Sequence, residues 1–294
     1  MKGLIIINAY PNGEKFIKQA SRIAEELALL GVEMDVLRNG EVFVCVGENG
    51  EVVSSVRGYD FAVYLDKDKY LGEGLEKSGL RLFNSARSVE LCDDKMKTYL
   101  ALVGAGLPMA ECIAAPLCYT PNATVDEVFL RKTAEKLGFP LVVKKSYGSF
   151  GAGVHLVHGM PQLIKTAQQF LYEPHFYQRY VGASCGRDIR VIVIGGKAVA
   201  AMERVAVDGE FRSNVELGGE GRQVALSEAY ALLAERAAQT LGLEYCGVDL
   251  LHGENGPVLC EVNSNAFFEG LEKTTGFNVA AAYALHIKNA VYGK

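Results

Sequence analysis

No stretch of the 294 residues approaches the roughly 20 consecutive apolar positions that span a bilayer, so no membrane partner is expected. The opening MKGLIIINAYPNG has one lysine and a short apolar run, with no small-residue cleavage site behind it. It reads as a buried first strand rather than a secretory leader. Positive charge is not in excess either. The formal net charge of -5 argues against non-specific binding to nucleic acid or an anionic surface. No C-x-x-C occurs among Cys45, Cys92, Cys112, Cys118, Cys185, Cys246 and Cys260. Their odd number and their apolar surroundings read as core thiols in a reducing, cytoplasmic setting, not as disulfides or zinc ligands. Internal repeats, low-complexity tracts and disordered tails are absent. What is present is ordinary globular composition, 49% apolar and 22% charged, over a length that suits two domains or one large domain with a mobile part.

Residues 3–8 (GLIIIN) predict a buried strand. Phe16, Ile17, Ala20, Ile23, Ala24, Leu27 and Leu30 then recur at helical spacing up to Gly31. Residues 32–37 alternate like a strand, which completes a β-α-β unit and implies a parallel α/β layer. Residues 60–65 and 80–83 predict further strands. No glycine-rich dinucleotide fingerprint follows the first strand, so no Rossmann cofactor site is expected. A helix over 89–104 is expected to cross into a second domain, followed by a helix at about 125–137 and a strand-rich remainder.

Three local patterns carry chemistry. In PLVVKKSYGSFGAGVHLV, residues 140–157, a strand ending at Lys144 runs into Gly148, Gly151 and Gly153 and then a second strand. Such glycines let backbone approach a phosphate, and a strand-end lysine supplies point charge. A flexible hairpin with an exposed lysine pair would show the same residues. In GRDIRVIVIGGKAVAAMER, residues 186–204, two apolar strands flank the hairpin signal Gly195-Gly196. Asp188 and Arg190 share a face there, either for a ligand or for a mutual or cross-strand salt bridge at a sheet rim. In YCGVDLLHGENGPVLCEVNSN, residues 245–265, Glu261 and Asn263 project from one face. A turn centred on Asn255 would set Asp249 opposite Glu261, and a one-residue slip would send it to the other face. In the favourable register the hard oxygen donors suit magnesium; otherwise they form a solvated acidic rim.

In this order the pieces resemble the ATP-grasp superfamily, and within it the RimK-type L-glutamate ligases. The resemblance covers most of the chain and is strongest from Cys92 onward. DIRVIVIGGKAVAAMER, DGEFRSNVELGG (208–219) and EVNSNAFFEGLEKTTGFNVA (261–280) carry it most narrowly. It implies that Lys95 and Lys144 contact the ATP phosphates, under a loop running from Ser146 through Gly148 and Gly151 to Gly153. It implies adenine pairing with the backbone of Gln178, Arg179, Tyr180 and Val181, and ribose held by Asp188. Arg212, Ser213 and Asn214 would line the nucleotide and acyl-phosphate site, and Asp249, Glu261 and Asn263 would bind magnesium. Arg190 and Arg204 would stabilise the acyl phosphate or hold the carboxylate substrate. Two departures stand out. The hinge is Gln178-Arg179-Tyr180-Val181 where the family has Q-E-Y-I. Asn263-Ser264-Asn265-Ala266-Phe267 replaces N-[SA]-S-P-G, on the acceptor side.

The resulting expectation is a mixed α/β protein with an ATP-grasp fold, α+β in its C-terminal part. A pre-ATP-grasp α/β domain would span 1–90 and an ATP-grasp domain 91–294, with a mobile central subdomain at about 108–180. The implied cofactors are ATP and magnesium, with manganese as a substitute. A carboxylate is expected to attack the γ-phosphate, and an amine then attacks the acyl phosphate. Glutamate is the expected amino acid, with Arg190, Arg204 and Arg212 as its cationic partners. The acceptor stays open, from a protein C-terminus to a small molecule or carrier protein, as does a homo-oligomer. A non-catalytic nucleotide-binding regulator and a phosphotransferase that stops at phosphorylation are the rival classes.

Overall fold

A computed structural model describes residues 1–10, 13–149, 151–207, 210–213 and 218–293. The chain opens with β1 (Lys2–Ile7), α1 (Glu14–Leu29), β2 (Glu33–Arg38), β3 (Val44–Val46), β4 (Val52–Ser54), β5 (Phe61–Leu65), α2 (Lys69–Lys77) and β6 (Arg81–Phe83). β1, β2, β5 and β6 form a parallel sheet in the order β2-β1-β5-β6, and β3 pairs with β4 in a small antiparallel hairpin. The run Leu4–Ile7 is continuously apolar because helices or neighbouring strands cover both its faces, and all four residues are buried. The predicted parallel layer is therefore present.

The helix expected over 89–104 is two helices, α3 (Ala86–Asp93) and α4 (Lys95–Ala101). Asp94 divides them. Its backbone is extended, and its carboxylate accepts hydrogen bonds from the N–H groups of Met96 and Lys97, capping α4. Apolar periodicity runs on across such a break, so spacing alone does not show it.

Next come β7 (Cys112–Ala114), α5 (Glu127–Leu137), β8 (Leu141–Lys145), β9 (Val154–Val157), α6 (Met160–Gln169) and β10 (His175–Arg179). They build an antiparallel sheet, β7-β10-β8-β9, backed by α5 and α6 around a separate apolar cluster. β11 (Arg187–Ile194), β12 (Lys197–Val205), β13 (Glu220–Gln223), α7 (Glu228–Leu241), β14 (Tyr245–Gly253), β15 (Gly256–Asn263), α8 (Glu269–Thr275) and α9 (Val279–Tyr292) complete the chain. The third large sheet, β13-β12-β11-β14-β15, is antiparallel throughout.

The core shows which parts are packed together. One buried cluster joins Ile5, Ile7 and Ile23 near the N-terminus to Ile192, Tyr245, Tyr283 and Ile287. The parallel sheet is thus fused to the last sheet through α1 and α9. Asn84, buried after β6, reinforces the joint. Its amide N–H groups donate to the carbonyls of Tyr245 and Ser264, and its oxygen accepts from the N–H groups of Glu244 and Tyr245. A buried amide with all four contacts satisfied holds two elements in one register. Among the described residues, no comparable buried apolar cluster joins the β7–β10 sheet to the rest.

The thiols depart from expectation. Cys92 and Cys246 are buried, but Cys45 and Cys185 are exposed and the other three are partly exposed. All seven are unpaired, as expected.

Candidate functional site

The two antiparallel sheets face each other across a cleft with about 860 Å³ of empty space. β8 brings Lys144 to one wall. Alternation places Val142 on the same face, and Leu251 lies two residues from Asp249 on the other wall, so apolar side chains flank a flat slot. Lys95, Lys144, Arg187, Arg204 and Arg212 line the cleft against Asp188, Asp249 and Glu261, leaving it net positive.

Lys144 is the most telling of these. It is buried, it forms no ion pair among the described residues, and its one hydrogen-bond contact there is the Cys260 thiol at 3.8 Å. A buried ammonium facing so weak an acceptor calls for an anion. Burial raises the Cys260 pKa, against the pull of Lys144, so the thiol stays protonated and inert at neutral pH.

The glycine-rich turn lies over this slot. Gly148 and Gly151 adopt φ of 135° and 74°, values that side-chain-bearing residues rarely take. Lys95, first residue of α4, donates from Nζ to the Gly148 carbonyl at 2.7 Å and lies 3.5 Å from Glu261. Arg212 donates to the Gly151 carbonyl at 2.9 Å and pairs with Glu210, whose pKa it holds low. Two cations therefore meet the underside of the loop through carbonyl oxygens.

The last sheet carries a buried charge network. The predicted register is present, with Asp249 opposite Glu261, but a different route produces it. The turn is two residues, Glu254 and Asn255, and an extra residue at Cys260 bulges the strand between the Leu250–Leu259 and Asp249–Glu261 pairs. Beyond the bulge, Glu261 lines the cleft and Asn263 an adjoining cavity. Tyr99 holds it, donating to the carbonyls of Leu259 and Cys260 while accepting from Gln178 Nε2 at 2.6 Å.

Asp188 and Arg190 form cross-strand ion pairs: the Asp188–Arg204 pair is buried rather than at a rim, and in the other Asp249 is buried while Arg190 is partly exposed. Arg204 binds Asp188 through Nε at 2.7 Å and Nη2 at 2.5 Å, and Nη2 reaches Asp249 at 2.9 Å. Arg190 binds Asp249 through two nitrogens, both at 2.7 Å. Burial pushes the Asp249 carboxyl up, but the guanidiniums of Arg190 and Arg204 outweigh it and hold the pKa below the ordinary value. Burial likewise disfavours the Arg204 cation, and Asp249 and Asp188 more than restore it.

Most of the predicted site residues converge. Lys95, Lys144, Gly148, Gly151, Gln178, Arg179, Tyr180, Val181, Asp188, Arg204, Arg212, Ser213, Asp249 and Glu261 all line the cleft. Arg190 and Asn263 line an adjoining cavity that also reaches Lys95, Gly148, Asp249 and Glu261. Ser146 and Gly153 line neither: Ser146 is buried behind the loop, with its carbonyl bonded to the Lys95 N–H, and Gly153 supports Lys145. Asn214 lies outside the described residues.

At the hinge, Gln178 and Arg179 are still in the sheet. The Gln178 side chain turns to Tyr99, and the Arg179 side chain turns outward to Glu111, with Nη2 to Oε2 at 2.6 Å. That guanidinium, with Lys136, keeps the Glu111 pKa low. Val142, Cys260 and Leu251 were missed in the sequence, although alternation from Lys144 and Asp249 could have indicated Val142 and Leu251.

Asp249 and Glu261, which line both cavities, and Asn263, which lines the adjoining one, offer a hard cation two carboxylates and an amide oxygen. Asp249 also serves two arginines, and Asn263 turns its amide nitrogen to Asp249 at 3.4 Å, which leaves the amide oxygen for a cation. The donor set fits magnesium, with Glu261 the most available ligand. Among the described residues no group of three or more His, Cys, Asp or Glu is placed to hold a metal ion; the donor set here is two carboxylates and one amide.

A slot between two antiparallel sheets, roofed by a glycine-rich turn and lined by lysines, defines the ATP-grasp class of ATP-dependent carboxylate–amine ligases. The RimK-like ATP-grasp domain matches residues 92–287, and the chain belongs to that family. It is 34% identical to human beta-citrylglutamate synthase B over 272 residues, 88% of this chain and 68% of the relative. A probable alpha-L-glutamate ligase of Rhodopirellula baltica is 45% identical over 148 residues, 49% of this chain and 36% of that one. The chain spans between about half and two thirds of the length of the synthases it matches. A solved structure of the ATP-grasp ligase PsnB, complexed with a phosphomimetic variant of its minimal precursor, Mg and ADP, covers 97% of both chains at a TM-score of 0.69 and 18% identity, a likeness of fold. Across the described residues no helix is long and apolar enough to cross a membrane.

Proposed function

We propose that the protein uses ATP and magnesium to join L-glutamate to a second substrate by an amide bond, through an acyl phosphate. The observation that carries this is Lys144, a buried ammonium with no ion pair among the described residues, in a net-positive slot beneath a glycine-rich turn. The adenine would lie between Val142 and Leu251 and would meet the backbone at Tyr180 and Val181, just beyond β10. Both Asp188 oxygens accept from Arg204, yet each keeps a lone pair for a ribose hydroxyl. Lys95, Lys144 and Arg212 exchange their carbonyl and thiol contacts for phosphate oxygens, and the loop settles over the γ-phosphate.

A carboxylate oxygen then attacks the γ-phosphorus, and the bond to ADP breaks. The protein's main contribution is position and fixed positive charge. Glu261 and Asn263, with Asp249, would hold magnesium, which would offset charge on the transferring oxygens; manganese, with the same preference for hard oxygens, would substitute. The amine nitrogen attacks the acyl carbon, phosphate leaves, and the loop keeps water from the intermediate. Glutamate is supported by relatives named for glutamate ligation and glutamate-containing products. The acceptor is a small carboxylate or amine, or a peptide end, entering through the adjoining cavity. Residues 108–180 move as the lid, an assignment supported by their separate core.

The test is ADP release and product mass with ATP, magnesium, each amino acid in turn and a panel of acceptors. A glutamate-dependent product is expected. Preference for a neutral or basic amino acid would refute the glutamate assignment, and no turnover with any pair would refute the ligase reading.

A further inference from the structure

The parallel sheet contributes more than scaffolding. In its order β2-β1-β5-β6 the chain leaves β1 toward one edge and later returns to β1's other side, so β1 and β5 flank the point where the winding reverses. Crevices at the carboxyl ends of such strands are where open α/β sheets bind ligands. Asn8 follows β1 and Asp66 follows β5, and both line the adjoining cavity, which has about 1270 Å³ of empty space.

Asp66 has an unusual state there. The residue is 4% exposed. Its Oδ1 accepts from Asn8 Nδ2 at 2.9 Å and from the Lys67 N–H at 2.6 Å. Its Oδ2 is buried and accepts no hydrogen bond from any described residue. The backbone is held too, since Asn265 donates to the Asp66 carbonyl at 3.0 Å. A buried carboxylate oxygen without a donor is costly, and fixing the other oxygen with two donors aims it. Cations line the same cavity: Arg190 by the metal ligands, and Lys67, whose Nζ lies 2.7 Å from Asp93.

We infer that Asp66 Oδ2 receives the ammonium group of the amino-acid substrate, making the crevice between β1 and β5 an amino-acid subsite. An acid and cations around one cavity complement a zwitterion, which a plain dicarboxylate cannot satisfy. Asp66 is a positioning and specificity residue: it orients the amino acid toward Glu261 and the slot, and takes no part in phosphoryl transfer. Asn8 fixes its rotamer. The inference deepens the ligase reading and rests on it.

The experiment compares wild type with Asp66→Asn, which keeps the Oδ1 contacts and replaces the unpartnered oxygen by an amide nitrogen. Steady-state KM is measured for L-glutamate and for ATP. Calorimetry in the presence of magnesium and a non-hydrolysable ATP analogue compares L-glutamate with glutarate, its des-amino counterpart. We expect wild type to bind L-glutamate more tightly than glutarate by at least about tenfold, the scale of one charge-assisted hydrogen bond. Asp66→Asn should raise the glutamate KM by a similar factor, erase the preference and leave the ATP KM within about twofold. An unchanged glutamate KM, or a parallel rise for ATP, would overturn the assignment. So would equal wild-type binding of the two acids, which needs no variant to fold. If wild type prefers another amino acid, the glutamate reading fails alone, and the same comparison is run with that amino acid and its des-amino counterpart.

Discussion

Replacing Arg204 by methionine tests the buried charge network at its centre. Arg204 is 2% exposed and serves two acids. Asp249 would still be held by Arg190 through two hydrogen bonds. Asp188, also buried, has Arg204 as its one side-chain partner among the described residues, so it becomes an uncompensated buried charge. Removing one partner of a buried pair costs about 3–5 kcal/mol. Unfolding entropy at about 2.1 cal/mol/K per residue gives about 0.6 kcal/mol per kelvin for 294 residues, so Tm should fall by about 5–8 °C. Calorimetry on wild type, Arg204→Met, Asp188→Leu and the double variant checks this. The double variant should lose less than Arg204→Met alone, because its orphaned charge is gone. A loss below about 1 kcal/mol for Arg204→Met, or a double-variant loss equal to the sum of the singles, would refute the reasoning.

The Asp249 shift gives a pH dependence with a definite sign. Its folded pKa is lowered, so its contribution is fully present above the unfolded carboxyl value of about 3.9 and lost as pH falls through the lower folded value. Thermal melts should therefore show no Asp249 contribution to slope between pH 5 and 7, with its loss confined to pH below about 3.9. Glu261→Gln should cut turnover at saturating magnesium by at least about 100-fold. It should cost less than about 1 kcal/mol in stability, since the Lys95 pair it weakens is long and partly exposed; near-normal turnover would remove Glu261 from the metal site. ATP with magnesium should raise Tm and slow proteolysis between Tyr147 and Gly153, and Lys144→Ala should diminish the rise. An undiminished rise would detach Lys144 from the nucleotide.

Much of this was legible in strand alternation and glycine placement. Gly195-Gly196 marks the β11–β12 turn, and the Asp249–Glu261 pairing is right, though a two-residue turn and a bulge at Cys260 produce it. Bulges leave no mark in a pattern of period two. Asp188 and Arg190 show that same-face charge is readable while its partner is not: the cross-strand pairs depend on which strands meet. The break at Asp94 was hidden because a capping aspartate and a helical aspartate look alike beneath an unbroken apolar stripe. Asp66 was beyond reach, because its role depends on packing the end of β5 against Asn265, 199 residues away.

The central claim is an acyl phosphate formed from ATP, and the transfer of oxygen tests it most directly. L-Glutamate and the acceptor identified by the product screen are labelled in turn with ¹⁸O in their carboxyl groups, and the phosphate released during ligation is analysed by mass spectrometry. The carboxylate that attacks ATP leaves one of its oxygens on phosphate, so one of the two labels should appear there at one atom per product formed. Ligation with no ¹⁸O in phosphate from either substrate would contradict the account.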